Sequence, residues 1–367
     1  MEIKKVGVGV EEYSMVIDAL MDFVRRIVSR RRFVCLFGEM VRKGVCPNLV
    51  TYTCLIHGLC NVGRLKEAMG LFEGMLRKRV SPNVATFCVL VYAFCKEGRI
   101  DNALKLLGFM YQRGVKPDVL TYTSLIHALC ISNQWMKAKE LFDDMMSRGI
   151  SPNVQIFSIL VDAVCKEGII SEAHELLELM IQKNLVPNAV TYNPLMEAYC
   201  VQGKMEKAVQ VFESMVERGV EPDVVSYSTL INGYCDTMKL HKAIQLFKEM
   251  KVKGLTPDII TYSSLIGGQC KVGSVVAAKS LFKEMQTRGE VPDIIAYGTL
   301  IDGLCANGFL SEAMEVFHTM EKRGLKADAR IYDSLIRNMR SAGEVKKAQE
   351  LLDRVSTKEV QPLCSNT

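Results

Sequence analysis

An all-α fold, a solenoid of stacked helical hairpins, is predicted by three features of the 367-residue sequence. A 35-residue period runs through most of the chain, each period carries two apolar stripes at helical spacing, and glycine and proline punctuate the periods at fixed places. Length alone, at roughly 150 residues per domain, suggests two or three globular units. The period replaces that expectation with a linear array. Counted from Leu49 as position 1, eight complete units occupy 49–83, 84–118, 119–153, 154–188, 189–223, 224–258, 259–293 and 294–328.

Residues 1–32 fit a first helix poorly, since the resembling run from Val16 to Leu20 lies about four residues early, and they form a degenerate N-terminal segment. Leu36, Phe37, Met40, Gly44, Pro47 and Asn48 match the second helix and turn of a unit, which makes 33–48 a partial repeat. In each complete unit, positions 4, 7, 8 and 11 form one stripe, represented first by Tyr52, Leu55, Ile56 and Leu59, and predict a first helix. Gly63 then breaks the chain. Positions 17, 20, 23, 24 and 27, represented by Leu65, Ala68, Leu71, Phe72 and Met75, predict the second helix, and the single Trp135 occupies one of these core slots. Position 31 is glycine from Gly114 to Gly324, with Asn184 and Arg79 as departures, and position 34 is proline from Pro82 to Pro292. Glycine tolerates the left-handed conformation that ends a helix and proline cannot continue one, so each unit closes in a tight turn. Residues 329–363, with Tyr332, Leu335, Gly343, Ala348 and Pro362, make a ninth, capping unit, followed by a tail at 364–367. No hairpin can bury its stripes alone, so neighbours must stack, with either hand open on this pattern.

Hydrophobic residues make up 49% of the chain and charged residues 24%, which supplies a core and excludes disorder. No run approaches the roughly 18 apolar residues of a membrane span. Net charge is +5, compatible with a polyanionic partner without requiring one. Of the 13 cysteines, eight recur every 35 residues from Cys60 to Cys305, none stands in a C-x-x-C pair, and the five histidines are scattered. That argues against zinc or any other metal and for small, reduced core residues, as in cytosol, nucleus or an organelle matrix. The methionines at position 27, Met75 to Met320, read as core in the same way. No convergent nucleophile, acid–base pair or cofactor motif occurs, so the expectation is a protein that is not an enzyme, has no cofactor and takes no small-molecule substrate.

The first helix has a second face with its own chemistry. At about 100° per residue, positions 2, 5, 9 and 13 cluster away from the core stripe. Position 2 is aliphatic in Val50, Ala85, Leu120, Val190, Val225, Ile260 and Ile295, and polar in Gln155. Position 5 is small and mostly polar: Thr53, Cys88, Thr123, Ser158, Asn193, Ser228, Ser263 and Gly298. Position 13 is lysine in Lys96, Lys166 and Lys271. Position 35 holds only Asn or Asp, as Asn83, Asp118, Asn153, Asn188, Asp223, Asp258, Asp293 and Asp328. Taken singly, position 35 reads as a turn or capping residue and position 5 as an ordinary first-turn Ser or Thr. Together they place a hydrogen-bonding pair beside an aliphatic wall, with a cation in some units, an arrangement suited to unstacked bases on a phosphate backbone.

The unit V-x-T-Y-x-x-L-I-x-G-x-C, followed by A-x-x-L-F-x-x-M and G-x-x-P-[ND], resembles the pentatricopeptide repeat, and residues 224–258 show it almost complete. The cysteine at position 12 and the L-F-x-x-M run resemble the P-type class and its plant fertility-restorer-like branch. The resemblance covers roughly residues 33–363. It implies a right-handed, tetratricopeptide-like superhelix that binds single-stranded RNA in mitochondria or, alternatively, plastids. It also implies one base per unit, read by positions 5 and 35 and sandwiched by the position 2 residues of adjacent units. The H-x-E and C-x-x-C of deaminase-tailed relatives are missing. Applied residue by residue, the family's rule gives A for Thr53 with Asn83, Thr123 with Asn153 and Ser158 with Asn188. It gives U for Asn193 with Asp223, and G for Ser228 with Asp258 and Ser263 with Asp293. Cys88 and Gly298 leave the second and eighth letters open, so the expected site is A-n-A-A-U-G-G-n.

A peptide-binding scaffold of the tetratricopeptide kind is the competing reading, but its period is 34 residues. Expected partners are single-stranded RNA and a recruited nuclease or other processing factor, with no membrane. Lys96, Lys166 and Lys271 are expected at phosphates. The N-terminal segment carries the arginines Arg25, Arg26 and Arg30, but Glu11, Asp18 and Asp22 before them spoil the acidic-poor signature, so no clear transit peptide is legible.

Overall fold

The computed structural model describes residue 42 and residues 46–357, with side chains to residue 353. The degenerate segment 1–32, most of the partial repeat 33–48, Pro362 and the tail 364–367 lie outside the described residues. Every regular element in the described part is an α-helix. Two compact units divide between Val186 and Pro187. The first holds α1 (Leu49–Asn61), α2 (Leu65–Arg77), α3 (Val84–Lys96), α4 (Ile100–Gln112), α5 (Val119–Ile131), α6 (Trp135–Ser147), α7 (Val154–Lys166) and α8 (Ile170–Gln182). The second holds α9 (Ala189–Val201), α10 (Met205–Glu217), α11 (Val224–Asp236), α12 (Leu240–Val252), α13 (Ile259–Lys271), α14 (Val275–Thr287), α15 (Ile294–Ala306), α16 (Leu310–Lys322), α17 (Ala329–Ser341) and α18 (Val345–Thr357).

Each helix is 13 residues long because its ends are specified locally. Gly63 (φ 73°) donates to the Cys60 carbonyl at 3.1 Å while Arg64 donates to Leu59 at 2.9 Å, the paired bonds that close a helix on a left-handed residue. The same turn forms where the residue is not glycine, at Arg79 (φ 58°) and Met238 (φ 59°). Short helices of this kind are marginal alone and depend on burying their apolar faces.

Within each compact unit a hairpin packs its two helices together, first helices lie side by side, and each second helix also touches the following first helix. An aromatic pair ties a hairpin to the next where position 24 is phenylalanine: Phe72 meets Phe87 edge to face at 5.5 Å, and Phe247 meets Tyr262 at 5.6 Å. Phe87, Tyr262, Met75 and Met250 are fully buried. Burial of such side chains contributes about 1.5–3 kcal/mol each, so the stack rather than the isolated hairpin carries the stability. In the first-helix row of each compact unit the position 2 side chains are exposed, while those at position 5 lie largely buried beside them.

Candidate nucleic-acid interface

Position 35 closes one repeat and caps the first helix of the next. Its Oδ1 accepts the N–H of the third residue of that helix: Asn83 from Thr86 at 3.0 Å, Asp118 from Thr121 at 2.9 Å, and Asp258 from Thr261 at 2.8 Å. Such a cap contributes about 1 kcal/mol. It also engages one atom of the side chain. With Oδ1 turned to the helix, the atom on the other side of the group is the Nδ2 donor in Asn and the Oδ2 acceptor in Asp. Burial pushes the Asp118 carboxyl up, but the N–H and hydroxyl of Thr121 outweigh it and hold the group below its ordinary value.

Position 5 lies deeper than a groove-lining residue would. Asn193 and Ser228 are 7% and 5% exposed, in the seam between consecutive first helices. The close approach of those helices explains why only small residues occur there. In three repeats the polar atom reaches position 35 at the close of its own repeat: Cys88 Sγ lies 3.2 Å from Asp118 Oδ1, Asn193 Nδ2 3.1 Å from Asp223 Oδ1, and Ser228 Oγ 3.5 Å from Asp258 Oδ1. Thr53 reaches Thr86 Oγ1 at 2.8 Å instead. Thr123 and Ser158 donate to the carbonyls of Val119 and Val154 in their own helices. Ser263 Oγ is buried without a partner. Gly298 offers no side chain, and Arg330 Nη2 stands 2.7 Å from where its Cβ would be.

Position 2 is exposed throughout the units, from Val50 at 48% to Ile260 at 64%. In the second compact unit Val225, Ser228, Asp258 and Ile260 line one cleft of about 230 Å³. Two aliphatic position 2 residues thus share one cleft with a position 5 and position 35 pair. In the first compact unit a larger cleft of about 510 Å³ collects Cys88, Thr123, Leu120 and Gln155, and adds Tyr92 and Lys96. Tyr92 was not anticipated as a site residue. It is 57% exposed, and the signal available was an aromatic at position 9 of a polar face.

The three lysines differ. Lys166 Nζ pairs with Asp162 at 2.8 Å and Lys271 Nζ with Asp236 at 2.8 Å, whereas Lys96 has no carboxylate partner among the described residues. The cysteine ladder has a packing role. A Cβ built on Gly233 or Gly268, at position 10, would come 2.7 and 2.9 Å from the Sγ of Cys200 and Cys235 in the preceding repeat. Burial pushes the thiols of Cys60, Cys95, Cys130, Cys200 and Cys235 up to about 12, which makes them poor nucleophiles at neutral pH. Among the described residues no three His, Cys, Asp or Glu side chains cluster as a metal site, and no helix is long and apolar enough to cross a membrane.

A model of the PPR repeat family matches eight stretches, four that together span residues 31–166 and four that together span 187–340, and a second PPR repeat model matches 156–185. A curated Arabidopsis thaliana pentatricopeptide repeat-containing protein, described as mitochondrial, is 47% identical over 53 residues, 14% of this chain and 6% of that protein. The crystal structure of the maize pentatricopeptide repeat protein PPR10 superposes with a TM-score of 0.60 at 22% identity, covering 97% of this chain and 60% of that one. PPR10 in complex with an 18-nt psaJ RNA element gives a TM-score of 0.56 at 22% identity, over 94% of this chain and 60% of that one. The likeness shows the α-solenoid fold, and the chain spans less than two thirds of the length of each of these relatives.

Proposed function

The chain belongs to the pentatricopeptide repeat family, and from that premise we propose that it is a sequence-specific binder of single-stranded RNA, of the P-type, fertility-restorer-like branch. The observation that carries this reading is the cleft that Ser228 and Asp258 line together with Val225 and Ile260. A flat base fits between two aliphatic walls with its hydrogen-bonding edge toward the pair, and aliphatic and aromatic contacts to a base are indifferent to sequence. Discrimination then falls to the pair. The amide that capping leaves on Asn donates, matching the ring acceptors of adenine and cytosine. The oxygen left on Asp accepts, matching the ring N–H of guanine and uracil.

The resulting preference, in repeat order, is A-n-A-A-U-G-G-n. The RNA complex of PPR10 supports RNA as the ligand class, and the mitochondrial Arabidopsis relative supports an organelle, mitochondrion or plastid, as the place of action. RNA processing, stability or translation is the biological role, with the protein binding and a recruited factor supplying any chemistry. Binding selection on randomised RNA tests this reading. Enrichment of a motif containing A-A-U-G-G supports it, and failure to retain any single strand overturns it.

A further inference from the structure

Beyond the two reader positions, a third residue connects them. Thr261, third in α13, donates its hydroxyl to Asp258 Oδ1 at 2.7 Å and lies 2.6 Å from Ser228 Oγ. The same three-membered arrangement joins Thr53, Thr86 and Asn83, with contacts of 2.8 and 2.9 Å. It joins Cys88, Thr121 and Asp118 at 2.9 and 2.8 Å. In the fifth repeat Ser226 Oγ lies 2.7 Å from Asn193 Oδ1 and 2.9 Å from Asp223 Oδ1. Where position 3 of the following repeat has no hydroxyl, the bridge is missing: Ile156 follows the Thr123 pair, Ala296 the Ser263 pair and Ile331 the Gly298 pair. Ser263 Oγ is the buried, unpartnered atom that results.

Resting on the RNA-binding reading, we infer that the hydroxyl at position 3 of each following repeat is a positioning residue that sets how strictly the preceding base is read. A hydroxyl carries one proton. The capping oxygen can only accept, so the proton of Thr261 goes to Asp258, and Thr261 turns a lone pair toward Ser228. Ser228 therefore places its own proton inside the protein, on Thr261 or on the Val224 carbonyl 2.7 Å away. Toward a base it can only accept. Acceptors at Ser228 Oγ and Asp258 Oδ2 together match the adjacent N1–H and N2–H₂ of guanine, and no other base offers two neighbouring donors. The Ser263 hydroxyl, without a partner, turns freely and can donate or accept, so it selects less.

The sixth and seventh repeats are matched controls, because both carry Ser and Asp as readers and differ at position 3 between Thr261 and Ala296. Whole-chain protein is titrated with RNAs carrying G, inosine or A at the sixth or seventh letter. Inosine lacks only the N2 amino group, so the ratio of G to inosine isolates the position 5 contact. The parent chain is expected to favour G over inosine about two- to tenfold more at letter six than at letter seven, the worth of one hydrogen bond. Ala296→Thr should raise the ratio at letter seven and Thr261→Ala should lower it at letter six, each leaving the other letter alone. Thermal midpoints are measured alongside, and a changed midpoint with unchanged ratios overturns the inference. So do equal ratios at both letters in every protein with G still preferred. No preference for G at either letter in the parent chain removes the underlying RNA reading, and the inference with it.

Discussion

Lys271 Nζ lies 2.8 Å from Asp236 Oδ1, and the two residues occupy the same position of successive repeats. A cation on the candidate RNA face is thus already neutralised by a neighbour, as Lys166 is by Asp162. Exposed pairs of this sort contribute little, about 0.2–1 kcal/mol, but they bring a carboxylate wherever the lysine goes. Lys96 carries no such companion among the described residues and lines the larger cleft. Lys96→Ala should therefore flatten the dependence of log affinity on log salt by about 0.7, the value of one phosphate contact on a single strand. Lys166→Ala and Lys271→Ala should each change it less. Equal slopes for all three variants would show that the ion pairs do not matter.

The contact between Cys270 and Gly303 makes the packing of the ladder testable. A Cβ on Gly303 would overlap both Sγ and Cβ of Cys270, whereas at Gly268 the nearest atom, Cys235 Sγ, is 2.9 Å away. Overpacking of a close core contact costs about 1–3 kcal/mol. Gly303→Ala should lower the thermal midpoint clearly and Gly268→Ala less, in the order of those approaches. An unchanged midpoint for Gly303→Ala would mean the helices separate freely there.

Burial that pushes Cys60, Cys95 and Cys235 up to about 12, from an ordinary 9.0, also fixes a pH dependence. The folded chain holds these thiol protons more tightly than the unfolded chain. Their stabilising contribution is complete below about pH 9 and is lost as pH rises toward 12. Native protein at pH 8 should accordingly alkylate at exposed Cys46 well before the ladder. Rapid modification of the ladder under those conditions would contradict its burial.

Much of this was legible in the sequence because the punctuation is local. Gly63, Pro82 and Asn83 act within a few residues of themselves, and the stripe containing Tyr52 and Leu55 has a period that only a helix satisfies. What escaped depends on partners a full repeat away. Thr86 looks like any threonine in a first helical turn, and its contact with Thr53, 33 residues earlier, exists only once hairpins stack. The pairing of Lys271 with Asp236 is hidden for the same reason. Met238 shows the opposite case, a left-handed residue that local preference disfavours and the array imposes.

Gly298 offers a transplant. A side chain there meets first the tip of Arg330, which is flexible and partly exposed, so Gly298→Asn is accommodated by its movement. The asparagine so introduced, paired with Asp328, copies Asn193 with Asp223 and should impose U on the eighth letter. Ile331 gives it no bridging hydroxyl, so the preference should be weaker than that of the fifth repeat for its own letter. Titration with four RNAs differing at the eighth letter measures this, and indifference to that letter would count against position 5 as a reader.

The last test changes a single atom type at a cap. Ser158 with Asn188 and Ser228 with Asp258 share a hydroxyl and differ at position 35, so Asp258→Asn should turn the sixth letter from G to A. Asn caps a helix about as well as Asp, so α13 keeps its start and the fold is unaffected. In both proteins Oδ1 remains on the Thr261 N–H, as it does at 2.8 Å now, and only the outward atom changes, from an acceptor to a donor. Guanine loses the acceptor for its N1–H while adenine gains a donor for its N1. A base-edge match is worth about 1–3 kcal/mol, so the G-to-A ratio should fall by at least several-fold, with neighbouring letters unmoved. Two RNAs titrated against two proteins suffice. If both proteins rank the RNAs alike while binding tightly, position 35 only caps the helix and contributes nothing to the choice of base.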